Sequence, residues 1–144
     1  MGVDYIIDIL YQHLQMNDLI EDTDAQLLMN NYPKTIYKNT VYRCIVSDKV
    51  VKNDLWQSWT KDKQMAYEIV TGLRGGYIDG DIILLEQNGY GIDLVKLLRI
   101  LKNSNDVSQD QKKIICKLLT NYKSEQEVLC KLNDTYKIIE VKKC

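Results

Sequence analysis

The apolar pattern predicts an α+β fold with an antiparallel or mixed sheet, and three observations carry that expectation. Residues 1–34 hold helix-period spacing, whereas β-branched and aromatic runs dominate from residue 35 onward. Strand and helix patterns do not alternate regularly, as a parallel sheet with crossover helices would require. The chain has 144 residues, which makes one domain (1–144) with a core of its own.

Within that domain, residues 1–34 read as a helical N-terminal segment and 35–144 as the core that carries the chemistry. Residues 4–16 place Tyr5, Ile6, Ile9, Leu10, Leu14 and Met16 at helix-like spacing. Residues 22–30 make a second short helix, opened by Asp22-Thr23-Asp24 and closed at Asn30-Asn31 ahead of Pro33. Val41-Tyr42-Arg43-Cys44-Ile45-Val46 reads as a strand. Gln57-Ser58-Trp59-Thr60 is a short extended piece, leading into a helix over 61–70 that Thr60 or Asp62 caps. Thr71-Gly72-Leu73-Arg74-Gly75-Gly76-Tyr77 is glycine-rich and predicts a loop. Residues 81–86 predict a strand followed by a turn at Asn88-Gly89, and residues 93–101 a short helix. Residues 103–110 read as a polar loop, and 111–119 as buried but ambiguous in type. Two further strands, 126–129 and 135–141, are joined by a turn at Asn133-Asp134.

Composition narrows the function classes. Hydrophobic residues make up 45% and charged residues 27%, the averages of a soluble globular protein. No apolar run approaches the ~20 residues that cross a bilayer, and no basic stretch leads into an apolar block at the N-terminus. Gly2 invites a myristoylation reading, but Ile6 stands where that signal wants Ser or Thr. The expectation is a soluble, cytoplasmic protein with no membrane partner. Nineteen basic residues against 20 acidic ones argue against nucleic acid as the main partner. Lysines number 16 and arginines three, so Arg43, Arg74 and Arg99 each invite a reason. A planar fork that grips carboxylate or phosphate at two points is the usual one.

The cysteines, Cys44, Cys116, Cys130 and Cys144, contain no C-x-x-C pair, and two of them lie inside apolar runs. They read as structural thiols rather than as a disulfide framework or a nucleophile. His13 is the one histidine; it has no metal-ligand spacing around it and reads as a helix-surface residue. A Ser–His–Asp or Cys–His mechanism would rest on it entirely. No metal is expected.

Polar residues interrupt the strand patterns at three places. Arg43 sits mid-strand among apolar neighbours, where a salt-bridge role is the plainer reading. Ser58 and Thr60 flank Trp59, so both hydroxyls project from one face of an extended segment. Glu125 and Glu127 share that i, i+2 spacing, and like charges on one side repel unless a cationic or polyhydroxylated ligand meets them.

In that order the motifs resemble those of the mono-ADP-ribosyltransferases of the arginine–serine–glutamate class, the bacterial toxin and phage type. The resemblance rests on Tyr42-Arg43, on Ser58-Trp59-Thr60 continuing into Lys61-Asp62-Lys63-Gln64-Met65-Ala66, and on Glu125-Gln126-Glu127-Val128-Leu129. Asn133-Asp134-Thr135-Tyr136-Lys137-Ile138-Ile139 looks like the closing strand, so the likeness spans residues 35–141.

The resemblance implies two packed, mainly antiparallel sheets around an NAD cleft, with helices at the N-terminus. It implies cleavage of NAD, used as substrate, and transfer of ADP-ribose to a protein acceptor. By the family pattern Glu127 stabilises the charge that grows on the ribose. Ser58 holds the Glu127 carboxylate, Thr60 supports the same strand, and Arg43 with Tyr42 binds the dinucleotide. Glu125 implies an arginine acceptor, and Tyr122 matches the aromatic of the loop that meets the acceptor protein, although a loop tyrosine half-packed on the core reads equally well. Arg74 lies in the glycine-rich run where relatives close over the phosphates, although a plain connecting loop reads equally well. Trp56 and Trp59 read as core anchors, and Arg99 takes no role. With no delivery segment in view, the expectation is an effector acting on a host protein in the host cytoplasm. The alternative is a non-catalytic binding or inhibitor module on the same fold.

Overall fold

The computed structural model describes residues 2–47, 49–73 and 80–143. Its helices are α1 (Val3–Met16), α2 (Asp22–Asn31), α3 (Lys63–Glu68), α4 (Leu94–Lys102) and α5 (Gln109–Tyr122). The strands are β1 (Ile36–Tyr37), β2 (Thr40–Val46), β3 (Gln57–Thr60), β4 (Ile82–Asn88), β5 (Gly91–Asp93), β6 (Glu127–Cys130) and β7 (Lys137–Lys142). The protein is α+β, and its strands form one antiparallel sheet in the order β1-β5-β6-β3-β2-β4-β7.

Local chemistry accounts for most boundaries. Asp62, rather than Thr60, caps α3, its carboxylate accepting from the Gln64 N–H at 3.0 Å. Asp93 does the same for α4 through the Lys96 N–H. The segment of ambiguous type is α5, opened by a capping box in which Ser108 and Gln111 satisfy one another's backbone N–H. Where a loop is expected after α3, the chain first makes a π-helical turn over Ile69–Leu73. Its widened start is held by the Thr71 hydroxyl donating to the Tyr67 carbonyl at 2.7 Å.

Apolar side chains divide between the two faces of the sheet. On one face α1, α2, α4 and α5 bury Leu10, Leu28, Leu97, Leu101, Ile115 and Leu129. On the other, Val41, Trp59, Ile83, Leu85, Val128 and Cys130 form a smaller cluster. Trp56 and Trp59 are both buried, one in each cluster.

The two packed sheets implied by the resemblance are replaced by a continuous ladder, because β3 is bonded to β6 on one side and to β2 on the other. The β2–β3 junction is nonetheless narrow. Among the described residues its register consists of the pair Tyr42↔Thr60, whereas β2 pairs with β4 over Thr40–Val46. Past that pair the strands diverge, so the sheet has two halves, β1-β5-β6-β3 and β2-β4-β7, with a split between them. Strands β6 and β7, consecutive in sequence, lie in different halves rather than side by side.

Candidate active site

The split between β2 and β3 is a cleft of about 330 Å³, within the size range of small-molecule sites. Tyr42, Arg43 and Cys44 line one wall and Gln57, Ser58, Trp59 and Thr60 the other. The turn after α1, with Asn17, Asp18 and Leu19, closes one end, and Ala66, Ile69 and Val70 close another.

Register explains which side chains meet. Residues directly opposite in an antiparallel ladder share a face. Ser58 opposes Leu129, and Thr60 opposes both Glu127 and Tyr42, so these residues lie on the helix-covered face. Ser58 Oγ donates to Glu127 Oε2 at 2.8 Å. The Glu127 side chain is 4% exposed and lies behind Ser58, outside the cleft lining itself. Arg43 alternates to the other face with Leu85 opposite, yet its side chain lines both the cleft and the cavity beneath Trp59. Its Nη1 donates to the Ser58 carbonyl at 2.6 Å across the split.

Glu125 departs from the extended face expected of it. Lys123–Glu125 is a 3₁₀ turn, and Gln126 is left-handed at φ 48°, so the strand begins only at Glu127. The Glu125 side chain is buried and does not join Glu127 along a strand face. Thr60 holds this turn, its hydroxyl donating to the Glu125 carbonyl at 2.7 Å and accepting from the Asp62 N–H. Tyr122 is the last residue of α5 rather than a loop residue, and its hydroxyl donates to Gln15 of α1. Burial and the neighbouring Glu86 carboxylate push the Tyr42 hydroxyl above its ordinary range. Arg74 lies outside the described residues.

His13 is the residue that the sequence reading misplaces. It is 5% exposed rather than on the helix surface, and its Nε2 stands 2.5 Å from Glu127 Oε2 and 3.3 Å from Ser58 Oγ. Spacing held the signal: Ile6, Leu10 and Leu14 face the core, and position 13 follows Leu10 by three on the same stripe. The turn after α1 completes the placement. Asn17 is left-handed at φ 60°, which folds the Asp18 carbonyl back onto His13 Nδ1 at 2.8 Å.

These three groups do not form a hydrolytic triad. There, one imidazole nitrogen takes the serine proton while the other binds the carboxylate. Here the hydroxyl and the carboxylate meet the same nitrogen, and the second nitrogen is spent on a backbone carbonyl. Two of the thiols are also poor nucleophiles. Burial pushes the Cys44 thiol up to about 11 and the Cys130 thiol up to about 12, so both are protonated at neutral pH. Among the described residues, no group of three His, Cys, Asp or Glu side chains is placed to hold a metal ion. None of their helices is long and apolar enough to cross a membrane.

A scan of protein-family models, a search of curated proteins and a search of solved structures each returned no match to this chain.

Proposed function

We propose that the protein is an NAD-dependent mono-ADP-ribosyltransferase that moves ADP-ribose from NAD to an arginine side chain of a protein acceptor. The observation that carries this reading is the Ser58–Glu127 hydrogen bond of 2.8 Å beside a cleft lined by Arg43, from three adjacent strands. Those are the three motif residues that the sequence pattern marks, and they are drawn from widely separated segments.

In the proposed reaction the bond between ribose C1′ and the nicotinamide nitrogen breaks, and its electron pair leaves with neutral nicotinamide. Positive charge grows on the ribose, where the Glu127 carboxylate favours the transition state over the ground state. Ser58 keeps that carboxylate in one rotamer. Thr60 fixes the Lys123–Glu125 turn. Arg43 supplies a guanidinium for the dinucleotide, with Tyr42 beside it and Arg74 in the segment beyond α3. The acceptor nitrogen then bonds C1′ and passes its proton to the Glu125 carboxylate, the base that the motif assigns, while Tyr122 meets the acceptor protein. The acceptor is a host-cell protein met in the cytoplasm.

Incubation with labelled NAD and host lysate tests the reading directly. Label on protein arginine and release of nicotinamide are the expected results, and failure to cleave NAD at all refutes it. Glu125→Gln is expected to suppress arginine labelling by at least about tenfold while NAD hydrolysis falls less, as befits removal of one acid–base contribution. Equal loss of both activities would remove the acceptor role of Glu125. One observation favours the second reading, a non-catalytic binding module: Glu127 is 3% exposed, behind His13 and Ser58.

A further inference from the structure

We propose that His13 is a side-chain gate on Glu127, holding the site in a charge-neutral resting state until a sugar hydroxyl takes its place. The inference rests on the transferase reading above for the identity of the ligand. The gate itself rests on geometry alone.

Proton accounting carries the first step. Nδ1 of His13 faces the Asp18 carbonyl, which can only accept, so Nδ1 carries a hydrogen. Nε2 lies 2.5 Å from Glu127 Oε2, and two bare acceptors do not sit at that distance. A second proton therefore lies between them. Whether written as imidazolium with carboxylate or as imidazole with carboxylic acid, the pair is neutral. A carboxylate neutralised in this way has lost the charge that would answer a developing oxocarbenium ion.

Position carries the second step. His13, Asn17, Asp18 and Leu19 line the cleft, whereas Glu127 does not. The imidazole thus stands between the cleft and the carboxylate, on the oxygen that Ser58 also holds. Helix α1 itself is anchored, with Leu10 fully buried and Ile6 and Leu14 beside it in the main core. The mobile part is the His13 side chain, not the helix. It swings toward the cleft as the imidazolium, carrying the shared proton and leaving Glu127 ionised. Asp18, on its own turn, and Arg43, on β2, are the other charged residues lining the cleft it enters.

The test reads Glu127 itself. Folded wild type, His13→Ala and His13→Asn are treated with a water-soluble carbodiimide and a small amine, and modification of Glu127 is quantified by peptide mass spectrometry. Wild-type Glu127 is expected to be protected, and modification is expected to rise roughly tenfold or more in the variants, the usual scale of a minor open state made dominant. Equal modification in wild type and folded variants overturns the gate. Should neither variant fold, wild-type nitrogen NMR decides. Two protonated ring nitrogens in His13, or a protonated Glu127 carboxyl facing Nε2, with the shared proton signal shifted or lost on Glu127→Gln, support the gate, and an unprotonated Nε2 facing an ionised Glu127 overturns it. NAD affinity, read from tryptophan fluorescence, separates the two proposals. Tighter binding in the His13 variants supports both. Exposure of Glu127 without NAD binding in any form leaves the gate standing and refutes the transferase.

Discussion

Glu127→Gln is expected to abolish NAD cleavage and label transfer while the protein stays folded. The amide occupies the same volume and can still accept from the Ser58 hydroxyl that now meets Oε2 at 2.8 Å. What it lacks is charge. Loss of a single preorganised electrostatic partner of a transition state costs on the order of 10²–10³-fold in rate. Glu127 is proposed as the main one for the ribose cation, so its loss should sit at or beyond the upper end. Initial rates of nicotinamide release, with circular dichroism of both proteins, check the prediction. Ser58 Oγ and His13 Nε2 both meet Oε2, so the amide keeps the Ser58 bond but loses the charge-assisted contact with His13, and the variant should unfold somewhat below the temperature of wild type. A variant that retains more than about a tenth of the wild-type rate would show that Glu127 does not carry the chemistry.

Among the described glycines, Gly91→Ala is expected to be the most damaging substitution. A Cβ built at Gly91 would stand 1.9 Å from the Leu129 carbonyl oxygen and 2.8 Å from Cys130 Sγ. The first of these is backbone and cannot rotate away. Gly91 pairs with Cys130, so the β5–β6 ladder must open by more than an ordinary adjustment. Forcing atoms into a packed interior costs typically 1–3 kcal/mol, and a backbone clash belongs at the top of that scale. About 3 kcal/mol corresponds to a Tm lower by roughly 6–12 °C in a chain of this size. Because β6 begins with Glu127, the strand displaced by the methyl group is the one that carries the proposed catalytic carboxylate. Activity should therefore fall at temperatures where the variant is still largely folded. Thermal unfolding that matches wild type would mean that the two strands stand farther apart than described.

Element types were largely legible in the residues, and the failures have local physical causes. The helices α1, α2 and α4 follow from apolar spacing and from Asp or Asn at their ends. Helix α5 escaped because Ser108 and Gln111, its capping box, lie in a stretch that reads as polar loop. Strand β5 escaped because Gly91–Asp93 is too short for alternation to register. Glu125 and Glu127 looked like neighbours on one strand face because spacing alone cannot reveal the left-handed Gln126 between them.

Apart from β5 and the type of α5, the α+β class was legible in the residues alone, as were the residue types of Arg43, Ser58, Thr60 and Glu127 in their motif segments. Those depend on short-range periodicity and composition. The tertiary structure decided that β2, β3 and β6 are neighbours, that β2 and β3 separate beyond Tyr42↔Thr60, and that His13 stands on Glu127. The last contact joins residues 114 positions apart. The apolar stripe of α1 sets which way the helix is turned, but its height against β6 arises only from packing onto the sheet, and no local pattern in either segment encodes that height.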